Sequence, residues 1–550
     1  MENWKNKLYF GDNLDILRKY VPDESVDLIY LDPPFNSNAT YNVLFHEKSG
    51  ENSAAQITAF EDTWQWSQES EYAFQEISRE SPKKLADLIQ AFRMFLGQND
   101  MMAYLTMMAQ RMSELYRVLK PTGSIYLHCD PTASHYLKLL IDAVFGNKNF
   151  RNEIIWKRTT SHGDSKQGAQ HYGRVHDTIL FYSKTDDYIW NTSFMPFSST
   201  QIEQQYYKVD PSGRRYRLVT PTAKKPGGDT SYEWKGVRPP EGRYWAYTRD
   251  KMKDMDDKGL LYYSNTGQPY IIYYLDERPG VSAQSIWTDI NPMSPTSKER
   301  LGYPTQKPES LLERIIATSS NEGDLLLDPF CGCGTAINVA ERLHRRWIGI
   351  DITHLAITLM RHRLNNAFGK ELSPYEIIGQ PKDLESARVL AQESEHSGRY
   401  QFEWWALGLV DARPAQDKKK GSDKGIDGYI NFFDDNSGKA KTIIAQVKSG
   451  HVNASHIRDL KGVLEREKAH IGVYITLEEP TKPMKEEAAS AGFYEPEHFP
   501  GNYYPKLQIL TIQQLLDGKT VDYPRYAPVA TFKKAQRIHK ANGEEQDRLL

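Results

Sequence analysis

Two acidic residues, each closing an apolar run, are the places where this sequence could do chemistry. The first is Asp32, which ends the run Val26-Asp-Leu-Ile-Tyr-Leu and is followed by Pro33, Pro34 and Phe35. Such a run reads as a strand buried on both faces of a parallel sheet. Pro34 cannot continue the ladder, and it biases Pro33 away from helical geometry. Asp32 therefore falls where the strand stops, on the sheet edge along which open α/β folds bind ligands. An Asp-Pro-Pro-aromatic loop suits attack by an exocyclic amine. The NH2 of adenine or cytosine is a weak nucleophile because its lone pair is delocalised into the ring. A carboxylate and the Pro33 carbonyl can accept its two N–H bonds and localise that pair, while Phe35 can stack on a base taken out of the duplex. The bland alternative is a plain strand-to-loop turn.

The second acid is Asp328, which ends Leu325-Leu-Leu and opens the loop Pro329-Phe330-Cys331-Gly332-Cys333-Gly334-Thr335 ahead of a helix. Glycines let the backbone approach a ligand closely, and the helix N-terminus behind them favours a carboxylate or phosphate. A third run, Trp347-Ile-Gly-Ile, ends in Asp351, 23 positions after Asp328 (351 − 328). That is the usual place for a carboxylate that binds ribose hydroxyls, so a nucleoside ligand is expected. A dinucleotide fingerprint would need a third glycine where Ile337 stands.

The two motifs in this order, 296 positions apart (328 − 32), resemble those of the beta group of DNA amino-methyltransferases. That group is circularly permuted relative to other S-adenosylmethionine enzymes, and the resemblance covers residues 5–370. It implies a Rossmann-like α/β domain, S-adenosyl-L-methionine as cofactor and double-stranded DNA as partner. By the same resemblance Asp32 and Pro33 polarise the amine, Pro34 and Phe35 complete the loop over the base, and Asp328, Phe330, Gly332, Gly334, Thr335 and Asp351 cradle the cofactor. Asp12, in Gly11-Asp12, would contact the cofactor's adenine, although it also reads as a helix N-cap. Lys307, in Gln306-Lys307-Pro308, would lie near the methionine carboxylate, a surface lysine being the alternative. Asp32, where cytosine-N4 enzymes commonly carry Ser, favours N6 of adenine over N4 of cytosine.

The remaining elements must position these acids. The chain has 550 residues, enough for two or more domains, with 39% hydrophobic and 26% charged residues. A net charge of −3 gives no global nucleic-acid signature, so any DNA-binding surface must be local. No apolar run reaches the roughly 18 residues of a membrane span, and three cysteines suit the cytoplasm. Cys331 and Cys333 lack a second Cys or His pair for zinc and read as small loop residues. Met101, Met102, Met107, Met108 and Met112 fall at helical spacing and read as core fillers. His128 and Asp130, at the end of another strand, are weaker substrate candidates.

Residues 184–300 change character to loops, prolines and aromatics. Between Lys208 and Lys253 there are 12 Lys/Arg against 5 Asp/Glu, interleaved with Tyr206, Tyr207, Tyr216, Tyr232, Trp234, Tyr244, Trp245 and Tyr247. Basic groups position phosphates and aromatic groups stack on bases, so this segment is expected to be an inserted target recognition region.

A second constellation lies further on. Asp427 opens one strand and Gln446-Val-Lys448 ends the next; Gln446 and Lys448, two apart, project together. With Glu403 on a preceding helix this resembles the Mrr-like branch of the PD-(D/E)xK nucleases, in which Gln replaces the second acid. The resemblance implies Mg2+ held by Asp427 and Gln446, Lys448 orienting the attacking water, and Glu403 assisting. Loss of the second acid leaves open that the fold is kept only to bind DNA.

The expected organisation is a methyltransferase domain over 1–370, a linker over 371–397, a smaller α/β/α nuclease-like domain over 398–515 and a polar tail over 516–550. The expected function is a site-specific adenine methyltransferase with a fused endonuclease, in restriction–modification or phage defence. The alternatives are methylation alone, on adenine or cytosine, with a non-cleaving DNA-binding C-terminal module, or a type III-like modification subunit. A homodimer is compatible with the chain. Without a P-loop lysine signature, an ATP-driven translocase would have to be a separate chain.

Overall fold

The structure is a computed structural model. It describes residues 4–33, 40–46, 52–61, 66–159, 170, 172–225, 227, 229–294, 297, 299–301, 303, 305–397, 400–415, 425–434, 440–496 and 500–525, with only the backbone at 40–46, 52–61 and 393–397.

The apolar runs form one nine-stranded sheet. Its strands are β1 (Asn6–Phe10), β2 (Val26–Leu31), β3 (Leu119–Cys129), β4 (Phe150–Lys157), β5 (His176–Ser183), β6 (Ile286–Trp287), β7 (Leu325–Asp328), β8 (Arg346–Asp351) and β9 (Tyr375–Ile378). They lie in the order β6-β4-β5-β3-β2-β7-β8-β1-β9. β5 is antiparallel to both neighbours, and the other pairings are parallel. The two faces are buried separately. Ile29 and Leu31 of β2 join one core cluster, and Leu28 and Tyr30 join the other. That double burial is why the strands read as unbroken apolar runs. Helices α1 (Asn13–Tyr20), α2 (Asp100–Val118), α3 (Glu309–Ser319), α4 (Thr335–Arg342) and α5 (His354–Phe368) flank the sheet. In α2, Met102, Met107, Met108 and Met112 are buried in the core, as their spacing predicts.

The segment expected to be a linker helix contains that helix and, ahead of it, a further strand. Tyr375–Ile378 pairs with β1 as the ninth strand, because its alternate apolar residues close that sheet edge. The following α6 (Leu384–Ser397) buries Ala387, Leu390 and Ala391 in the C-terminal core. That C-terminal part is a five-stranded sheet in the order β10 (Arg413–Pro414), β11 (Gly428–Phe432), β12 (Lys441–Lys448), β13 (Ile471–Thr476) and β14 (Leu507–Thr511). α6 and α7 (Tyr400–Leu409) cover one face, while α8 (Ala454–Glu467) and α9 (Lys482–Ser490) cover the other. The start of the expected tail also packs, through Val521 and Tyr523. Residues 526–550 lie outside the described residues.

Thr192–Gln284 forms a compact unit of its own, narrower than the 184–300 expected. Its sheet runs Leu261–Tyr263, Pro269–Tyr274, Arg215–Val219, Lys208–Val209, all antiparallel. Several aromatics expected to meet bases are its core instead. Trp245 and Tyr206 are fully buried, and Tyr232 and Trp234 nearly so, because a unit this small has few other large side chains to fill it. Tyr207 remains exposed. Many of the basic groups lie over tyrosine rings, Arg214 on Tyr274 and Arg278 on Tyr273 each at 3.8 Å from the centroid.

Candidate active site

Four neighbouring parallel strands, β2, β7, β8 and β1, bring their carboxyl ends to one pocket of about 240 Å3. Asp32, Asp328, Asp351 and Asp12 all line it. The sequence places these acids as two pairs about 300 residues apart, Asp12 with Asp32 and Asp328 with Asp351; strand order makes all four adjacent.

Asp32 is held from one side. Lys307, just ahead of α3, donates its Nζ to Asp32 Oδ2, and the pair is mostly buried. The other oxygen, Oδ1, is buried and accepts no hydrogen bond among the described residues. Lys307 thus sits on the acid of the Asp-Pro-Pro motif, in the same pocket as the expected cofactor site. Pro33 is buried beside it, whereas Pro34 and Phe35 lie outside the described residues.

The glycine loop is tightly wound. Gly332 and Gly334 adopt φ of +49° and +73°, values that residues with a Cβ rarely tolerate. A Cβ on Gly334 would stand 2.1 Å from Met360 Cγ. Gly332 N donates to Asp351 Oδ2 at 2.9 Å, while Thr353 gives its N–H and its hydroxyl to Asp351 Oδ1. Burial pushes the Asp351 carboxyl up to about 6 despite those bonds. Asp328 accepts from Phe330 N at 3.1 Å, and burial, reinforced by Asp32 and Asp351 nearby, raises its pKa well above the carboxylate range.

Asp12 is the helix N-cap weighed for it, and it also lies at the pocket. Its Oδ1 caps α1 through Leu14 N, its Oδ2 pairs with Arg111 at 2.8 Å, and it lines the pocket. Thr335 faces the pocket too, with its hydroxyl accepting from the fully buried Arg363 at 3.0 Å. Arg363 also bonds the Cys333 carbonyl and Glu309, tying the glycine loop to the first turn of α3.

Arg111, Arg363 and Tyr303 escaped the sequence reading, as did a buried row behind Asp32. In that row the Tyr30 hydroxyl meets His128 Nδ1 at 3.0 Å, and His128 Nε2 meets Asp177 at 3.1 Å. Tyr30 lines the pocket, so His128 acts behind the wall; Asp130 instead caps the next turn through Thr132 N and Ala133 N. The available signal was a charged residue on an otherwise apolar helix face, Arg111 among the methionines of α2.

The C-terminal constellation is placed differently from its expectation. Asp427 does stand before β11, with β12 carrying Gln446 and Lys448 beside it. However, Asp427 Oδ2 accepts from Val447 N at 2.7 Å, and the Gln446 amide donates to the Gly425 carbonyl. The donor set is thereby turned toward its own backbone. Among the described residues no three His, Cys, Asp or Glu side chains converge as metal ligands. With one oxygen of Asp427 and the Gln446 NH2 engaged by backbone and no third carboxylate or imidazole converging among the described residues, the expected Mg2+ site at Asp427, Gln446 and Glu403 is not supported. Cys331 and Cys333 are free and buried, again without a metal set among the described residues.

A Rossmann-like sheet with carboxylates and a glycine loop at one edge defines the class of nucleoside-cofactor methyltransferases. The chain belongs to the N6/N4 DNA methylase family, whose model matches residues 26–361. Residues 399–517 match a second family, described as NACHT-associated inactive restriction endonuclease 1. The type II methyltransferase M.EcaI of Enterobacter cloacae is 30% identical over 63% of this chain and 66% of its own length. The StyLTI Mod subunit, a type III restriction–modification protein of Salmonella typhimurium, is 26% identical over 71% and 58%. The chain therefore spans 58–66% of the length of these relatives. A solved DNA modification methylase of Thermus thermophilus, complexed with S-adenosyl-L-methionine, aligns over 68% of this chain and 99% of its own, at 17% identity and a TM-score of 0.31.

Proposed function

We propose that this protein methylates N6 of adenine in double-stranded DNA, with S-adenosyl-L-methionine as donor, as the modification component of a restriction–modification or defence system. The observation that carries the reading is the divided state of Asp32. One oxygen is anchored by Lys307, while Oδ1 is buried without a hydrogen-bond partner among the described residues, on a side chain that lines the pocket beside the glycine loop. An exocyclic N–H entering there would give Oδ1 its missing partner and localise the amine's lone pair. Bound there, S-adenosyl-L-methionine would supply an electrophilic methyl for in-line displacement, and Asp32 Oδ1 would take the proton the methylated amine gives up. Such a displacement needs alignment above all. The four carboxyl groups and two cations at the pocket wall, Arg111 and Lys307, also suit a sulfonium-bearing nucleoside.

The order of motifs in the chain supports a beta-group, permuted arrangement, and Asp32 supports adenine over cytosine. Thr192–Gln284, with its basic surplus, would read the DNA sequence. The C-terminal domain is read as non-cleaving, since its would-be ligands bond the backbone. A cytoplasmic location and a homodimer belong to this reading, and a translocase partner does not have to be invoked.

Incorporation of tritiated methyl into unmodified duplex DNA, followed by nucleoside analysis, tests it. N6-methyladenine, lost in Asp32→Ala, is the expected product. N4-methylcytosine would overturn the base assignment, and no incorporation would overturn the reading as a whole.

A further inference from the structure

The C-terminal domain meets the methylase along α7, and the contact falls on the back of the cofactor pocket. Gln401, in the first turn of α7, grips the turn that follows Asp351. Its Oε1 accepts from His354 N at 3.3 Å, and its Nε2 reaches the Ile352 carbonyl at 3.5 Å. Ile352 and Thr353 line the pocket on the inner side of the same turn, where Thr353 supplies two bonds to Asp351. One turn further along α7, Trp404 is buried in a cluster with Tyr303, Cys333 and Leu355. Tyr303 is the ring against Gly332: a Cβ added there would come within 3.2 Å of it. α7 therefore backs both the ribose-binding turn and the glycine loop.

The approach is close and specific. Gly408 lies so near α5 that a Cβ on it would meet Thr358 Oγ1 at 2.7 Å. Arg361 of α5 donates to the Gly408 carbonyl at 2.6 Å and pairs with Asp411 at 2.9 Å. The close fit of α7 on α5 holds Gln401 and Trp404 beside the turn after Asp351 and behind the glycine loop.

We infer that α7 braces the cofactor site from behind, with Gln401 and Trp404 as positioning residues for methyl transfer. The nuclease-like domain serves the methylase by holding the two segments that cradle the nucleoside. This rests on the cofactor reading proposed above.

The test uses the full chain and S-adenosylhomocysteine as probe, titrated calorimetrically, with hydrogen exchange read in parallel. In the wild type, the probe slows amide exchange across 400–409. Gln401→Ala weakens binding by about 3- to 10-fold, the weight of one net hydrogen bond, and the defect falls on KM for the methyl donor rather than on kcat or on KM for DNA. Trp404→Ala weakens it more, and Trp404→Phe recovers most of the loss, which separates positioning from unfolding. Wild-type binding that is unchanged in Gln401→Ala and Trp404→Ala, with no slowed exchange in α7, overturns the inference while leaving the cofactor reading intact. A wild type that does not bind the probe overturns both.

Discussion

Lys307 donates its ammonium to Asp32 across 275 residues of sequence, joining the start of α3 to the end of β2. The contact engages one carboxylate oxygen while the other is buried without a partner among the described residues, so if Asp32 serves the amine as proposed the two side chains should act as a unit. Asp32→Ala is expected to abolish methyl transfer, and Lys307→Met to lower kcat by roughly 100- to 10,000-fold, the range of a single positioned acid–base group. The double variant should be no worse than Asp32→Ala alone, because residues that work as one unit are not additive. Single-turnover methylation of the three variants measures this; a double variant much slower than Asp32→Ala would show that Lys307 acts elsewhere.

The cofactor site should be pH-sensitive on its acid side. Burial holds the Asp351 carboxyl at about 6, above the ordinary carboxylate range. The group is ionised above that value and protonated below it, and only the carboxylate can accept from both ribose hydroxyls. Affinity for S-adenosylhomocysteine is therefore expected to hold at neutral pH and to fall as pH drops through about 6. Asp351→Asn should bind weakly at every pH and remove that transition. A calorimetric pH series decides it, and a wild-type affinity that is flat through this range would refute the assignment.

How much of this was legible in sequence depends on whether the signal was local. The strands ending in Asp32, Asp328 and Asp351 announced themselves, because burial on both sheet faces demands unbroken apolar runs and a ligand edge favours an acid where they stop. What was not legible was partnership. Nothing near Lys307 in the chain points to Asp32, and nothing near Arg363 points to Thr335, since both contacts depend on how helices return over the sheet. The aromatics at Trp245 and Tyr206 misled for the same reason: base-stacking surface and small-domain core use the same residue types. Likewise Asp427 and Gln446 carry the spacing of a metal site, but only the folded chain reveals that their polar atoms bond the backbone.

Gly334 offers a stability test of the loop itself. Its φ of +73° is in the left-handed region, and an added Cβ would stand 2.1 Å from Met360 Cγ. Gly334→Ala should cost about 1–2 kcal/mol from backbone geometry, plus the repacking of Met360. Adding Met360→Ala should relieve the steric part and leave the backbone part, so the double variant recovers only partway relative to Met360→Ala alone. Denaturant melts of the four proteins measure it. A Gly334→Ala protein as stable as the wild type would mean that the loop does not hold this conformation in solution.

The C-terminal domain should not cut DNA. Residues 399–517 match a family described as an inactive restriction endonuclease, and one oxygen of Asp427 and the Gln446 NH2 are already bonded to backbone groups, at Val447 N and the Gly425 carbonyl. Freeing those groups would break hydrogen bonds inside the sheet, at roughly 1–3 kcal/mol for each buried group left unsatisfied. Supercoiled plasmid incubated with the full chain and Mg2+ is therefore expected to stay intact, and Lys448→Ala to methylate at the wild-type rate. Mg2+-dependent nicking that disappears in Lys448→Ala would reverse the conclusion, because it would require these ligands to turn outward when the metal binds.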